Sequence, residues 1–108
     1  MSQNATRIHP PADEQDFERA CVVLFRGLLK DPATERIGRR GQSQHGVDIY
    51  GLRNEDPTRP VGIQCKAKGL GKQLTEAEVR KEVGLALGFE PSLKEYFIVT
   101  TAPDDAEM

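Results

Sequence analysis

Cysteine is scarce in this chain: Cys21 and Cys65 are the only two in 108 residues. Each falls among apolar neighbours, which reads as a small core residue in a reducing compartment rather than half of a disulfide, and structural zinc ordinarily takes four such ligands. Long apolar runs are missing as well. No stretch approaches the ~20 residues that span a bilayer, and the polar N-terminus lacks the charged-then-apolar layout of a signal peptide, so a cytoplasmic protein without membrane attachment is expected. Nor is one charge in surplus, since 15 Lys and Arg stand against 17 Asp and Glu, a net charge of −2. That excludes a protein gripping nucleic acid with its whole surface; any basic region has to be local. Repeats, low-complexity tracts, helix-turn-helix and zinc motifs are absent from the sequence, and its length suits one core rather than two.

What the chain does contain is a succession of short patterned segments. Residues 1–12, with Pro10 and Pro11, read as a flexible arm, residues 13–101 as one domain, and residues 102–108 as a tail or the start of a linker. From Asp13 onward, Phe17, Cys21, Leu24 and Leu28 recur at helical spacing with acids in the first turn, and Asp31 and Pro32 end the helix. Residues 34–38 suit a short strand. Residues 47–53 and 60–66 read as strands separated by the turn-rich "NEDPT", and Thr75 with Glu78 has the capping-box spacing that opens a second helix running to about Phe89. "EYFIVTT", residues 95–101, is the most strand-like segment of all. The order is helix, three strands, helix, strand.

Two of these strands carry polar residues where a buried strand ordinarily has none: Asp48 in "GVDIY", and Gln64 and Lys66 in "IQCK". In a hairpin centred near Pro57, Asp48 is expected opposite Lys66 and one diagonal step from Gln64. Alternation then places Val47 and Ile49 with Val61, Ile63 and Cys65 on one face, and the acid, amide and amine on the other. An aspartate and an amide oxygen are hard donors suited to Mg²⁺, which takes few protein ligands and completes its octahedron with water and phosphate. Such an ion would sharpen a nearby water and offset charge on a phosphodiester, with Lys66 to orient or deprotonate that water. On these residues alone, an ordinary surface salt bridge between Asp48 and Lys66 is the alternative. Glu18 lies beside the apolar stripe of the first helix, in line with Val22 and Phe25, where it either turns toward the sheet or favours the helix dipole from solvent. Glu76, Glu78 and Glu82 on the second helix read as solvated.

In that order and at those separations, "FE" in the first helix, "GQSQHGVDIYG" and "IQCK" resemble the PD-(D/E)XK nuclease superfamily, the restriction-endonuclease-like fold. Within it the chain is most similar to Mrr-like restriction endonucleases and to the nuclease domains of bacterial anti-phage effectors. The resemblance spans about residues 13–101 and implies an α/β fold with an αβββαβ core, a central mixed sheet flanked by helices, which is the element order already read from the segments. It implies a DNA endonuclease dependent on Mg²⁺ or Mn²⁺. Asp48 would be the central metal ligand, Gln64 would stand in place of the usual second acid, Lys66 would be the catalytic lysine and Glu18 the first-helix acid. The backbone carbonyl of Cys65 would be a further ligand. Gln64 departs from the superfamily's signature: it keeps an oxygen donor and loses a charge, a change common in the Mrr-like group.

The resemblance also gives the basic residues around the motif a use. Arg36, Arg39 and Arg40 before it, and Lys68 and Lys72 after it, are expected to hold phosphates of double-stranded DNA, while Gln44 and His45 approach a base or a leaving group. Pairing of two copies is expected, because cutting both strands of a duplex takes two sites or two visits. A sensor or target-recognition domain outside this chain would choose the target. Two rivals accompany this reading: a nuclease of the same fold acting on RNA or on branched DNA, as Holliday-junction resolvases do, and a retired member kept for assembly or nucleic-acid binding. If the chain is a nuclease, Asp48→Ala and Lys66→Ala should abolish cleavage with little loss of fold, both lying on a polar face.

Overall fold

Cys21, Val22, Phe25 and Leu29 line one side of helix α1 (Glu14–Leu29), and all four are buried. They appear so in a computed structural model that describes residues 14–37, 45–68 and 72–101. The expected arm at 1–12, the tail at 102–108, and Arg39, Arg40 and Gln44 lie outside the described residues. The buried side of α1 centres on Glu18, Phe25 and Leu29, which corrects the apolar stripe expected from spacing: Leu24 and Leu28 are 52% and 55% exposed. Seven- and four-residue steps from Glu18 reach Phe25 and Leu29 on one line, and Leu24 falls well off it. Past the helix, Lys30 takes a left-handed conformation (φ 57°) and the Asp31 N–H donates to the Arg26 carbonyl at 3.1 Å. The buried Asp31 carboxylate then accepts from the N–H groups of Ala33 (3.0 Å) and Leu52 (2.7 Å), fastening the end of the helix to the sheet.

The described residues form an α/β fold, with two α-helices and a four-stranded mixed sheet. Strands β1 (Glu35–Arg36), β2 (Ile49–Leu52), β3 (Pro60–Lys66) and β4 (Glu95–Thr100) lie side by side in chain order. The first two pairings are antiparallel and β3–β4 is parallel, so the chain must cross over between them, and α2 (Glu76–Ala86) is that crossover. Among the described residues the order helix, three strands, helix, strand is the one expected. α2 opens with the expected capping box, the Glu78 N–H donating to Thr75 Oγ1 (3.1 Å) and the Thr75 N–H to Glu78 Oε1 (2.9 Å). It stops at Ala86, short of Phe89, because Gly88 turns back and its N–H bonds the Leu85 carbonyl at 3.0 Å. No described helix is long and apolar enough to cross a membrane.

α1 covers one face of the sheet. Its apolar side meets Ile49, Val61 and Ile63, with Phe17, Cys65, Phe97 and Val99 around the margin and the Phe25 and Phe97 rings 5.2 Å apart. Both cysteines are free thiols in or against this cluster, as their neighbours suggested. Leu29 is wholly enclosed, so Leu29→Ala is expected to cost about 2–5 kcal/mol through lost burial and a residual cavity. Urea unfolding checks this: the midpoint should fall while the slope of stability against urea stays the same.

The β2–β3 register differs from the one expected. Ile49 pairs with Ile63 and Leu52 with Pro60, which sets Asp48 toward Gln64 instead of Lys66. The cause is the turn: Arg53–Glu55 forms a 3₁₀ turn with Asn54 and Glu55 at φ 57° and 61°, and the Arg53 N–H bonds the Arg59 carbonyl at 3.0 Å. Side-chain alternation also fails at Asp48. Its N–H donates at 2.8 Å to the carbonyl of Ile63, the residue already facing Ile49, so two residues share one partner and the strand bends as at a bulge. Val47 is thereby displaced from the face of Ile49 to the opposite one, where it lies with Leu93 over Gly62.

Candidate active site

The bend at Asp48 re-aims its carboxylate. Instead of standing on either face, Oδ2 accepts the backbone N–H of Cys65 at 2.8 Å, continuing the ladder of β3 past the end of β2. Asp48 is 5% exposed and burial raises its pKa from 3.8 to about 6, against the lowering effect of the Cys65 N–H; Glu18 and Glu82 push it up further and Lys66 pulls it down. No side-chain cation among the described residues is within hydrogen-bond reach of it.

Glu18 approaches from the α1 side. It is 4% exposed, at the centre of the helix's buried face, with Arg36 Nη1 of β1 at 3.4 Å. It is therefore covered and turned toward the sheet. From the α2 side comes Glu82, also 5% exposed, which sequence reasoning had placed in solvent. Its Oε2 lies 2.6 Å from Lys66 Nζ, and its Oε1 accepts from Gln64 Nε2 at 3.2 Å. Gln64 and Lys66 occupy alternate positions of β3, so both project onto the face that α2 covers. A signal for Glu82 did exist: it stands four residues before Ala86 and seven before Phe89, on the line by which α2 packs.

Glu82 Oε1 accepts from the amide nitrogen, so Glu82 orients the Gln64 amide with nitrogen toward itself. The other branch, Oε1, is buried and has no hydrogen-bond partner among the described residues. An orphaned buried carbonyl oxygen is a rarity that calls for an explanation, and an absent cation is one. The backbone before Asp48 is shaped to Glu82 as well. Gly46 has φ +71°, and a Cβ there would come 3.0 Å from the Glu82 carbonyl oxygen and 3.1 Å from its Oε1, so only glycine fits. Tyr96 of β4 donates its O–H to the Gly46 carbonyl at 2.6 Å; burial, then Glu82 and Asp48, raise its pKa and keep the phenol a donor.

Charge is thus divided unevenly. Among the described residues Glu18 has Arg36, Glu82 has Lys66, and Asp48 has a single backbone N–H. Among the described residues no three His, Cys, Asp or Glu side chains stand together as a metal cage. The available donors are of mixed kind: the carboxylates of Asp48 and Glu18, the free Gln64 oxygen and the carbonyl of Cys65, all hard oxygens. They suit a small divalent cation, and the uncompensated acid and orphaned oxygen are the two features such an ion would relieve.

The remaining expected contacts are scattered. Lys68 forms an ion pair with Glu78, whose side chain is about one-third exposed; Lys68 and the Thr75 N–H hold that carboxyl near pKa 2. His45 is exposed with φ 50°, and its ring lies against Gly88 beyond the end of α2. Lys72 is exposed. Of the basic set, Arg36 alone touches a residue of the acid cluster among the described residues. No family model, curated protein or solved structure matches this chain.

Proposed function

We propose that the chain is a metal-dependent DNA endonuclease domain of the restriction-endonuclease-like fold, the effector part of a bacterial restriction or anti-phage protein. The observation that carries the reading is the buried carboxylate of Asp48, which has no side-chain cation among the described residues, next to Gln64, whose own carbonyl oxygen has no partner among them. The mixed sheet and the αβββαβ element order support it, as does the presence of an acid, an amide and an amine at the positions the motif assigns. Asp48, Gln64, Glu18 and the Cys65 carbonyl would hold Mg²⁺ or Mn²⁺. When bound, the ion supplies a water acidified toward neutral pH and offsets charge on the scissile phosphate.

The protein's own side chains do the rest. Lys66 places its Nζ 2.6 Å from Glu82 Oε2 and is 26% exposed. That suits it to donate to a phosphate oxygen as charge builds there, more than to remove a proton. Asp48, buried and short of positive charge, gives the cation its main electrostatic reason to bind. Arg36, loosely held at 3.4 Å from Glu18, can exchange that contact for a phosphate. Lys68 is committed to Glu78 and is a weaker candidate. Retirement to a scaffold is disfavoured, because a binding module gains nothing from an uncompensated acid kept out of water.

The test is incubation with supercoiled plasmid, linear duplex, branched DNA and RNA, each in Mg²⁺, Mn²⁺ or EDTA. Nicking or linearisation of duplex DNA that EDTA abolishes is expected. Cleavage limited to branched DNA or to RNA would move the substrate to the rival nuclease reading. A folded protein inert toward every substrate with either ion would count for the scaffold.

A further inference from the structure

Lys66 has two acids to choose between. Asp48 lies close enough to influence it electrostatically, yet the ammonium sits 2.6 Å from Glu82 on the α2 side. The same carboxylate takes the Gln64 amide nitrogen at 3.2 Å and is itself nearly sealed, with Gly46 packed against its oxygen and backbone. Such a group has little freedom to leave its two partners. Without it, Lys66 would be free to turn toward Asp48, and the Gln64 amide could rotate either end toward the space vacated.

We propose that Glu82 is a positioning residue that holds Lys66 away from Asp48 and turns the Gln64 oxygen away from itself, leaving that oxygen and the Asp48 carboxylate free for a divalent cation. The proposal rests on the cation reading above and adds a residue to which the nuclease motif assigns no role. Glu82 touches neither ion nor substrate. It acts by tying up a cationic side chain that would otherwise neutralise Asp48. An internal ammonium and a metal ion compete for the same carboxylate, so a clamp on the first favours the second.

This differs measurably from the general attraction of an extra negative charge. Mn²⁺ affinity is measured by titration for the wild type, Glu82→Gln, Lys66→Met and the double variant, with the folded fraction of each checked by circular dichroism. If Glu82 acts through Lys66, Glu82→Gln weakens Mn²⁺ binding about tenfold in the wild-type background and much less once Lys66 is methionine, a coupling of at least roughly fivefold. A purely electrostatic role makes the same fold-loss in both backgrounds, and that additivity would overturn the proposal. A folded wild type that takes up no Mn²⁺ would instead reject the cation reading, and the proposal with it. The amide resonances of Gln64 give a readout that needs no ion: they should shift in Glu82→Gln and hold their place in Lys66→Met.

Discussion

Asp48→Asn is expected to be both inactive and more stable than the wild type at neutral pH. Asparagine keeps an oxygen for the Cys65 N–H and nearly the same volume, so the fold loses no contact that the carboxylate makes. What goes is a buried negative charge that no side-chain cation among the described residues satisfies. The folded pKa of about 6 against an ordinary 3.8 sets a ceiling of about 3 kcal/mol of instability, and with partial screening by solvent about 1–2 kcal/mol is expected. The sign follows from where the proton sits. Below pH 3.8 the group is protonated in both folded and unfolded chains and contributes nothing. As pH rises from there through about 6, the unfolded chain ionises first and is favoured, so stability is lost across that window and stays lost above it. Asparagine does not titrate, so its advantage should be absent near pH 3.5, grow between pH 4 and 6, and level off above about pH 7. Thermal melts in EDTA at several pH values measure it, with a gain on the order of 10 °C at the plateau. Cleavage should fall at least about 100-fold. A variant that gains stability and loses activity marks a residue kept for chemistry.

Lys66→Met should lose cleavage as well, with the opposite effect on the fold. Methionine preserves the packing of the aliphatic stem and removes only the ammonium, leaving Glu82 buried beside an apolar tip. Breaking a fully buried pair costs about 3–5 kcal/mol. The Lys66 side chain is 26% exposed, so water partly replaces the lost partner and about 2–3 kcal/mol is expected. The position is therefore no free polar surface, which departs from the expectation that replacing this lysine leaves the fold untouched. Adding Glu82→Gln to Lys66→Met should restore most of the stability and none of the activity. Chemical denaturation beside plasmid nicking measures both. If the double variant regained cleavage, Lys66 would have no part in the reaction.

The fold was largely legible because its signals are local. The Thr75–Glu78 capping box, the aromatic and β-branched run before Thr100, and polar residues breaking two apolar strands can each be read within a few neighbours. Asp48, Gln64 and Lys66 stood out for that reason, and Glu18 because it lies on a helical line with apolar residues. The hairpin register was not legible. It depends on Asn54 and Glu55 adopting left-handed backbone, a conformation that neither residue type requires, and on a bulge at Asp48 that moves Val47 to the other face. Glu82 was missed because charges spaced four apart on a helix ordinarily mean solvent. Its burial follows from a crossover that lays α2 over Gln64 and Lys66, and a parallel β3–β4 pairing is decided by tertiary packing.

On the proposed function, Asp48 and the Gln64 oxygen that is unpartnered among the described residues are kept ready for a divalent cation. Calorimetric titration of the purified protein with Mn²⁺ at pH 7.5 addresses it without any assumption about substrate, with Asp48→Asn as the comparison. Saturable one-to-one binding by the wild type, lost in the folded asparagine variant, is the predicted result. Equal binding by the two proteins, or none by a folded wild type, would contradict it.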